Sequence, residues 1–146
     1  MADVTAFGSS VTIMSLLYPM GITVNESDSD VALFEVDDPE FGTVQVGLNG
    51  HKISWVHGSV YTVRIGVIPN GDNDKKLKAM VAGSRPQLGA SLTIDSVQVI
   101  FTEGVSGNKS ILADCTMTSG AICNVTTTAG RFAARVYTFQ GTVQAW

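Results

Sequence analysis

For chemistry, this chain of 146 residues offers two histidines, two cysteines and 13 carboxylates. His51 and His57 flank the segment KISWV, so the two imidazoles can share one face of a strand. General acid–base catalysis needs a carboxylate or similar group to orient the ring, and a metal site needs a third ligand. Neither lies near them in sequence, so both read as surface histidines, exposed or hydrogen-bonded. Cys115 and Cys123 flank TMTSGAI. Two thiols without a neighbouring histidine are too few for structural zinc. They read as free thiols on strands in a reducing compartment, with a bridge across a hairpin on oxidation left open.

The carboxylates gather in two places. NESDSD sets Glu26, Asp28 and Asp30 at alternate positions, and DNDKK adds Asp72 and Asp74. Either group attracts a hard cation in principle, but neither has the spacing and glycine of a calcium loop. The first reads as a solvated acidic loop and the second as a helix cap. No GxSxG, HExxH, phosphate-binding loop or GxGxxG occurs, and no pair of carboxylates stands out for glycoside hydrolysis. The expectation is a protein that is not an enzyme and carries no cofactor and no metal. Trp55 and Trp146 remain as sugar-stacking platforms or as core and interface anchors.

These residues need a scaffold, and composition says which kind. Hydrophobic residues make up 45% and charged residues only 15%, with 15 glycines. Abundant Val, Thr and Gly point to strands joined by tight turns. A surface so lean in charge is poorly protected against self-association, so part of it reads as meant for another copy. The net charge of −4 argues against broad capture of nucleic acid, which needs clustered Lys and Arg. The N-terminal MADVTAFGSS lacks the basic and apolar regions of a signal peptide, and no apolar run is long enough to cross a membrane. The length suits one domain, residues 1–146.

Alternation locates the strands. SVTIM turns Val11 and Ile13 to one face. DVALFEV, Asp30 to Val36, is apolar on both faces. TVQVGL and KISWVHG flank Asn49-Gly50, a strong hairpin signal. From Tyr61 to Val67 the odd positions are Tyr61, Val63, Ile65 and Val67, so one face is buried. Pro69 and Gly71 then break the strand, and Asp72 or Asn73 caps a short helix over about residues 73–82. Its apolar stripe of Leu77, Met80 and Val81 must lie on the sheet, because a helix this short does not stand alone. Gly83 reads as its stop. LTIDSVQVIF changes phase and needs a bulge near Asp95-Ser96. ILADCTMTSGAICNVTTT gives one or two strands, and ARVYTFQGTVQAW a last one that buries Tyr137, Phe139 and Val143. The fold class is mainly β, a sandwich or barrel of antiparallel strands with one flanking helix.

The order of these elements resembles the tail tube proteins of bacteriophages, and more specifically the small tube subunits of contractile-tailed phages. The likeness rests on PMGITVNESDSDVALFEVDDPEFGTVQVGLNG, YTVRIGVIPNGDNDKKLKAMV and RVYTFQGTVQAW. An acidic segment, Asn25 to Asp30, leads into an apolar strand. The turn Gly47 to Gly50 follows, then a long alternating strand and a helix with Asn73 and Leu77. Where such chains often read Ser-Pro before the helix, this one has Asn70-Gly71-Asp72.

The resemblance implies stacked homohexameric rings in a virion tail, made in the host bacterial cytoplasm. Their inner barrel would pass genomic DNA without sequence-specific binding and without a membrane. It further implies contacts with tail sheath, baseplate and tail terminator proteins. Phe34, Phe41, Trp55 and Trp146 are the candidate contacts between subunits and rings. The alternative is a carbohydrate-binding β-sandwich or adhesin module that uses Trp55 and Trp146.

Overall fold

A computed structural model describes residues 7–15, 18–26, 31–84 and 97–145 of the chain. The described elements are, in order, β1 (Ser10–Met14), β2 (Ile22–Val24), β3 (Phe34–Val36), β4 (Gly42–Val46), β5 (Lys52–Val56), β6 (Tyr61–Val67), helix α1 (Asp72–Ser84), β7 (Val97–Thr102), β8 (Lys109–Ser119), β9 (Arg135–Gly141) and β10 (Val143–Ala145). The fold is mainly β, with antiparallel pairing throughout the named ladders and one helix.

One sheet runs in the order β2-β1-β7-β8-β9-β6-β3, with β10 also paired to β8. It curls without closing into a barrel, and β2 and β3 are its two ends. The curl is visible in one contact: Phe34 of β3 stacks on Phe101 of β7, ring centroids 4.5 Å apart and planes 6° from parallel. Three strands separate these two in the sheet, so only a folded-over sheet brings their rings together.

Alternation places the core as expected. Val11 and Ile13 of β1 are buried, as are Tyr61, Val63, Ile65 and Val67 of β6 and Tyr137 and Phe139 of β9. The expected strand from Asp30 to Val36 is regular only over β3; Asp30 itself lies outside the described residues. Leu33 and Phe34 are neighbours in sequence, yet both pack against the core. A regular strand sends such neighbours to opposite faces, so the ladder breaks there.

The long strand β8 turns the corner of the sheet. Its pairing with β7 slips between Val99↔Leu112 and Val97↔Cys115, so Ala113 and Asp114 together oppose Gln98. This is a β-bulge, and Asp114 adopts a left-handed φ of 51° there. Tyr61 Oη braces it by donating to the Ala113 carbonyl at 3.0 Å. The bulge expected at Asp95-Ser96 lies outside the described residues. Beyond the corner β8 pairs with β9, whereas Ala113 and the two residues before it pair with β10. The last strand expected from the sequence is therefore two, β9 and β10, parted at Thr142.

Helix α1 packs against β2 and β8. Leu77 and Met80 are fully buried, and Val81 packs on the same core. Complete burial of such side chains is worth about 1.5–3 kcal/mol each. The helix is longer than the expected 73–82. It begins one residue earlier because the Gly71 carbonyl accepts from Lys75 N at 3.1 Å, which makes Gly71 the residue that enters the helix. It runs past Gly83, which lacks the positive φ by which a glycine ends a helix.

Candidate assembly surface

Strands β4 and β5 form a two-stranded sheet of their own, apart from the large one. The turn is the one Asn49-Gly50 announces. Gly47 N donates to the His51 carbonyl at 2.8 Å and Gly50 N to the Gly47 carbonyl at 2.9 Å. Gly50 takes a φ of +79°, the left-handed position that closes a three-residue hairpin loop. At the base, Asp37 N donates to the Thr62 carbonyl, and Arg64 grips the Asp37 carboxylate with two hydrogen bonds of 2.6 and 2.9 Å. That guanidinium holds the Asp37 carboxyl below the usual carboxylate range. His57 continues the ladder, its N–H donating to the Phe41 carbonyl, and its Nε2 lies 3.1 Å from Thr43 Oγ1.

The register decides which side chains share a face. Gly42↔Val56, Val44↔Ser54 and Val46↔Lys52 point one way, Thr43↔Trp55 and Gln45↔Ile53 the other. Val44, Val46 and Val56 therefore crowd one face, and Ile53 and Trp55 the other. Both faces are open to solvent: Val46 is 74% exposed, Trp55 44% and Phe41, in the approach to the hairpin, 66%. None of these residues belongs to the hydrophobic core. A two-stranded hairpin is marginally stable on its own in water, and among the described residues no strand or helix covers either face of this one.

A second exposed cluster sits where β6 ends. Residues 124–133 fold back on themselves: Thr126 bridges Phe132, Thr127 N donates to the Arg131 carbonyl at 2.9 Å, and Ala133 N to the Val125 carbonyl at 2.8 Å. The strand reading of the sequence ended at Thr128 and did not include the tight fold-back, for which Gly130, at φ +80°, was the available signal. Ile122, Val125 and Phe132 are exposed here, as is Ile68 just past β6, two residues before Asn70, whose side chain bonds Asn124.

What fixes that end is a polar network the sequence did not reveal. Asp74, which the sequence placed in a helix-capping group, is completely buried. Its Oδ1 accepts from Tyr137 Oη at 2.6 Å, its Oδ2 from Asn70 N at 3.0 Å, and Lys78 Nζ lies 3.2 Å from Oδ2. Lys78 Nζ also donates to Asn124 Oδ1 at 3.0 Å, and Asn124 Nδ2 to Asn70 Oδ1 at 2.7 Å. Burial, reinforced by the Asp74 carboxylate, pushes the Tyr137 hydroxyl well above the usual tyrosine range. Asn70 sits at φ 63°, which a short amide side chain tolerates better than most. The Asn70-Gly71-Asp72 departure from Ser-Pro is the piece that builds this corner.

The other chemical candidates stay apart. His51 and His57 are exposed on the hairpin. Cys115 is buried and unpaired, its thiol pushed up by burial, while Cys123 is exposed and unpaired. Among the described residues no cluster of His, Cys, Asp or Glu is arranged to hold a metal ion, and no helix is long and apolar enough to cross a membrane. Of the four candidate contact residues, Phe41 and Trp55 are exposed, Phe34 is half-buried against Phe101, and Trp146 lies outside the described residues. Asp28 lies outside them too.

The model of one protein family, described as tail fiber protein gp32, matches residues 2–142. The chain belongs to that family. The sequence resemblance was to tail tubes and the gp32 description names a tail fiber; the two agree at the level of a tail protein. No curated protein matches this gp32-family chain in sequence. Among solved structures, it is similar to a chain from the PVC sheath/tube terminator of an extracellular contractile injection system in the extended state. That likeness has 14% identity over 99% of this chain and 96% of the other, with a TM-score of 0.57. A chain from the extended sheath-tube complex of the same kind of system matches with 14% identity over 98% and 90%, at a TM-score of 0.54. At such identity the likeness concerns the fold of the gp32-family chain: a curled β-sheet with one helix.

Proposed function

We propose that this gp32-family protein is a structural subunit of a phage tail tube, without catalytic activity. Six copies form a ring, and rings stack into a tube whose channel passes genomic DNA towards the host. The observation that carries this reading is the β4–β5 hairpin, which exposes apolar side chains on both faces, none of them part of the hydrophobic core of the described residues. The end-to-end fold likeness to chains of sheath–tube assemblies supports it, as does the net charge of −4. An acidic wall repels phosphate and lets DNA slide, where a basic one would hold it through many ion pairs. Sheath, baseplate and terminator proteins are the partners that go with this role, and the assembled virion tail is its place.

Electron microscopy of the purified protein tests the reading. Rings or tubes with a central channel are expected. A protein that stays monomeric at high concentration and in the presence of tail sheath protein would rule it out. The half-exposed Trp55 favours one alternative, a glycan-binding tail module. Glycan-array binding that is lost in Trp55→Ala would replace the tube reading with that one.

A further inference from the structure

The two exposed apolar clusters lie at opposite ends of the same strand. The hairpin arm, residues 37–60, is rooted where Tyr61 opens β6. The fold-back of residues 124–133 leads directly into Arg135, which pairs with Val67 at the other end of β6. Seven residues of strand put the two roots about 20 Å apart. Their charges are opposite as well. The hairpin arm carries Asp38 and Glu40 against Lys52, its third carboxylate, Asp37, being already held by Arg64. The far end carries Lys75, Lys76 and Lys78 on α1, Arg131 on the fold-back and Arg135 at the start of β9, five of the nine basic residues of the chain, against Asp72 and Asp74, the last already paired with Lys78.

From this pairing of apolar with apolar and acidic with basic, we infer that the β4–β5 hairpin of one copy seats on the Ile68, Ile122, Val125 and Phe132 surface of the next, head to tail. The second copy fits this surface because both halves of the contact are present on every chain and neither is self-complementary in charge. Hairpin against hairpin would oppose acidic arms, and fold-back against fold-back would oppose basic ones. An interface joining two different patches of one chain closes into a ring or adds copies along a line, and contacts rooted at opposite ends of β6 favour the line. The two-faced hairpin gains from this arrangement, since one face meets the next copy while the other is left for a lateral neighbour.

The inference rests on the proposal that the chain assembles with itself, and its test separates the two. Val46→Asp disables the hairpin and Phe132→Asp the opposite surface; both positions are exposed, so circular dichroism should show an unchanged fold. Sedimentation and electron microscopy of each variant alone should find no lengthwise growth, with at least tenfold more protein needed for any stacking. An equimolar mixture should join one Phe132→Asp unit to one Val46→Asp unit and stop there, because the two remaining ends are both disabled. Wild-type-like stacking by either variant overturns the inference, as does lengthwise pairing of Phe132→Asp with itself through its intact hairpin. Wild-type rings that never stack sink this inference and leave the ring proposal standing. Wild-type rods without rings, absent from both single variants, do the reverse.

Discussion

Tyr137 in β9 donates a 2.6 Å hydrogen bond to Asp74 in the first turn of α1, 63 residues away in sequence, and both residues are fully buried. The bond ties the helix to the sheet at the point where the chain leaves β6. Lys78, only partly withdrawn from solvent, brings the balancing charge, and Asn70 N–H completes the carboxylate's partners. A buried carboxylate with three donors is stable in place; the same carboxylate with one donor removed is not.

Asp74→Ala should therefore destabilise the protein by about 2–4 kcal/mol, because it strands the Tyr137 hydroxyl and unpins the helix start. Lys78→Met should cost less, since water reaches that ammonium and can take over part of its role. Urea denaturation midpoints measure both. A midpoint for Asp74→Ala within error of wild type would show that the network is ornamental to stability.

The same pair sets an alkaline limit. Burial and the Asp74 carboxylate hold the folded-state value for Tyr137 above that of an exposed tyrosine, and burial together with Cys115 does the same for Tyr61. Groups raised in this way contribute stability that is complete below the unfolded-state value, about 10, and is lost as pH rises above it. Melting temperature should stay flat from neutral pH to about pH 9 and then fall. Tyr137→Phe should be less stable at neutral pH but fall less steeply above pH 10. Parallel curves for the two proteins would contradict the assignment.

Gly120 lies where the sheet meets the helix. A Cβ there would sit 2.8 Å from Tyr137 Cδ1 and closer still to Val81 Cγ2. Val81 is stiff at its branch point and Tyr137 is held by its hydrogen bond, so neither yields easily. Gly120→Ala should cost about 1–3 kcal/mol, as overpacking does in tight interiors. Differential scanning calorimetry would show it as a lowered melting temperature.

Leu77 and Trp55 should part company under substitution. Leu77→Asp places a charge in the core and should prevent stable folding, since an unpaired buried carboxylate is costly. Trp55→Ser removes a side chain that the lone subunit covers only in part and outside the core, so its thermal midpoint should move by no more than about 1 kcal/mol equivalent. The loss from Trp55→Ser should appear in assembly instead, read by sedimentation. Loss of stability from Trp55→Ser comparable to that from Leu77→Asp would place the hairpin inside the fold.

Much of this was legible in the residues. Strict alternation exposed β6 and β1, because one buried face imposes a period of two that few other structures share. Asn49-Gly50 gave the hairpin because a left-handed position wants glycine. What escaped has a common cause. Asp74 in DNDKK looks the same whether its carboxylate meets water or Tyr137, and nothing local points to a partner 63 positions on. Leu33 and Phe34 escaped for the opposite reason: both are apolar, so a strand pattern fits them, yet the curl of the sheet draws both inward. The candidate contacts Phe41 and Trp55 could be nominated from type, but their exposure depends on a hairpin that leaves the sheet, which alternation does not encode.

The bulge at Asp114 has a consequence for how the subunit comes apart. Because β8 turns its corner there, it stays bonded to β7 through the bulge, while it is bonded to β10 before the bend and to β9 after it. No strand boundary separates the two halves, so neither can open locally without dragging the shared strand out of register with the other. Amides on both sides of the corner should report one common opening free energy in hydrogen exchange, as parts of a single cooperative unit. Force applied along a stack of such subunits would then meet a body that yields as a whole or not at all.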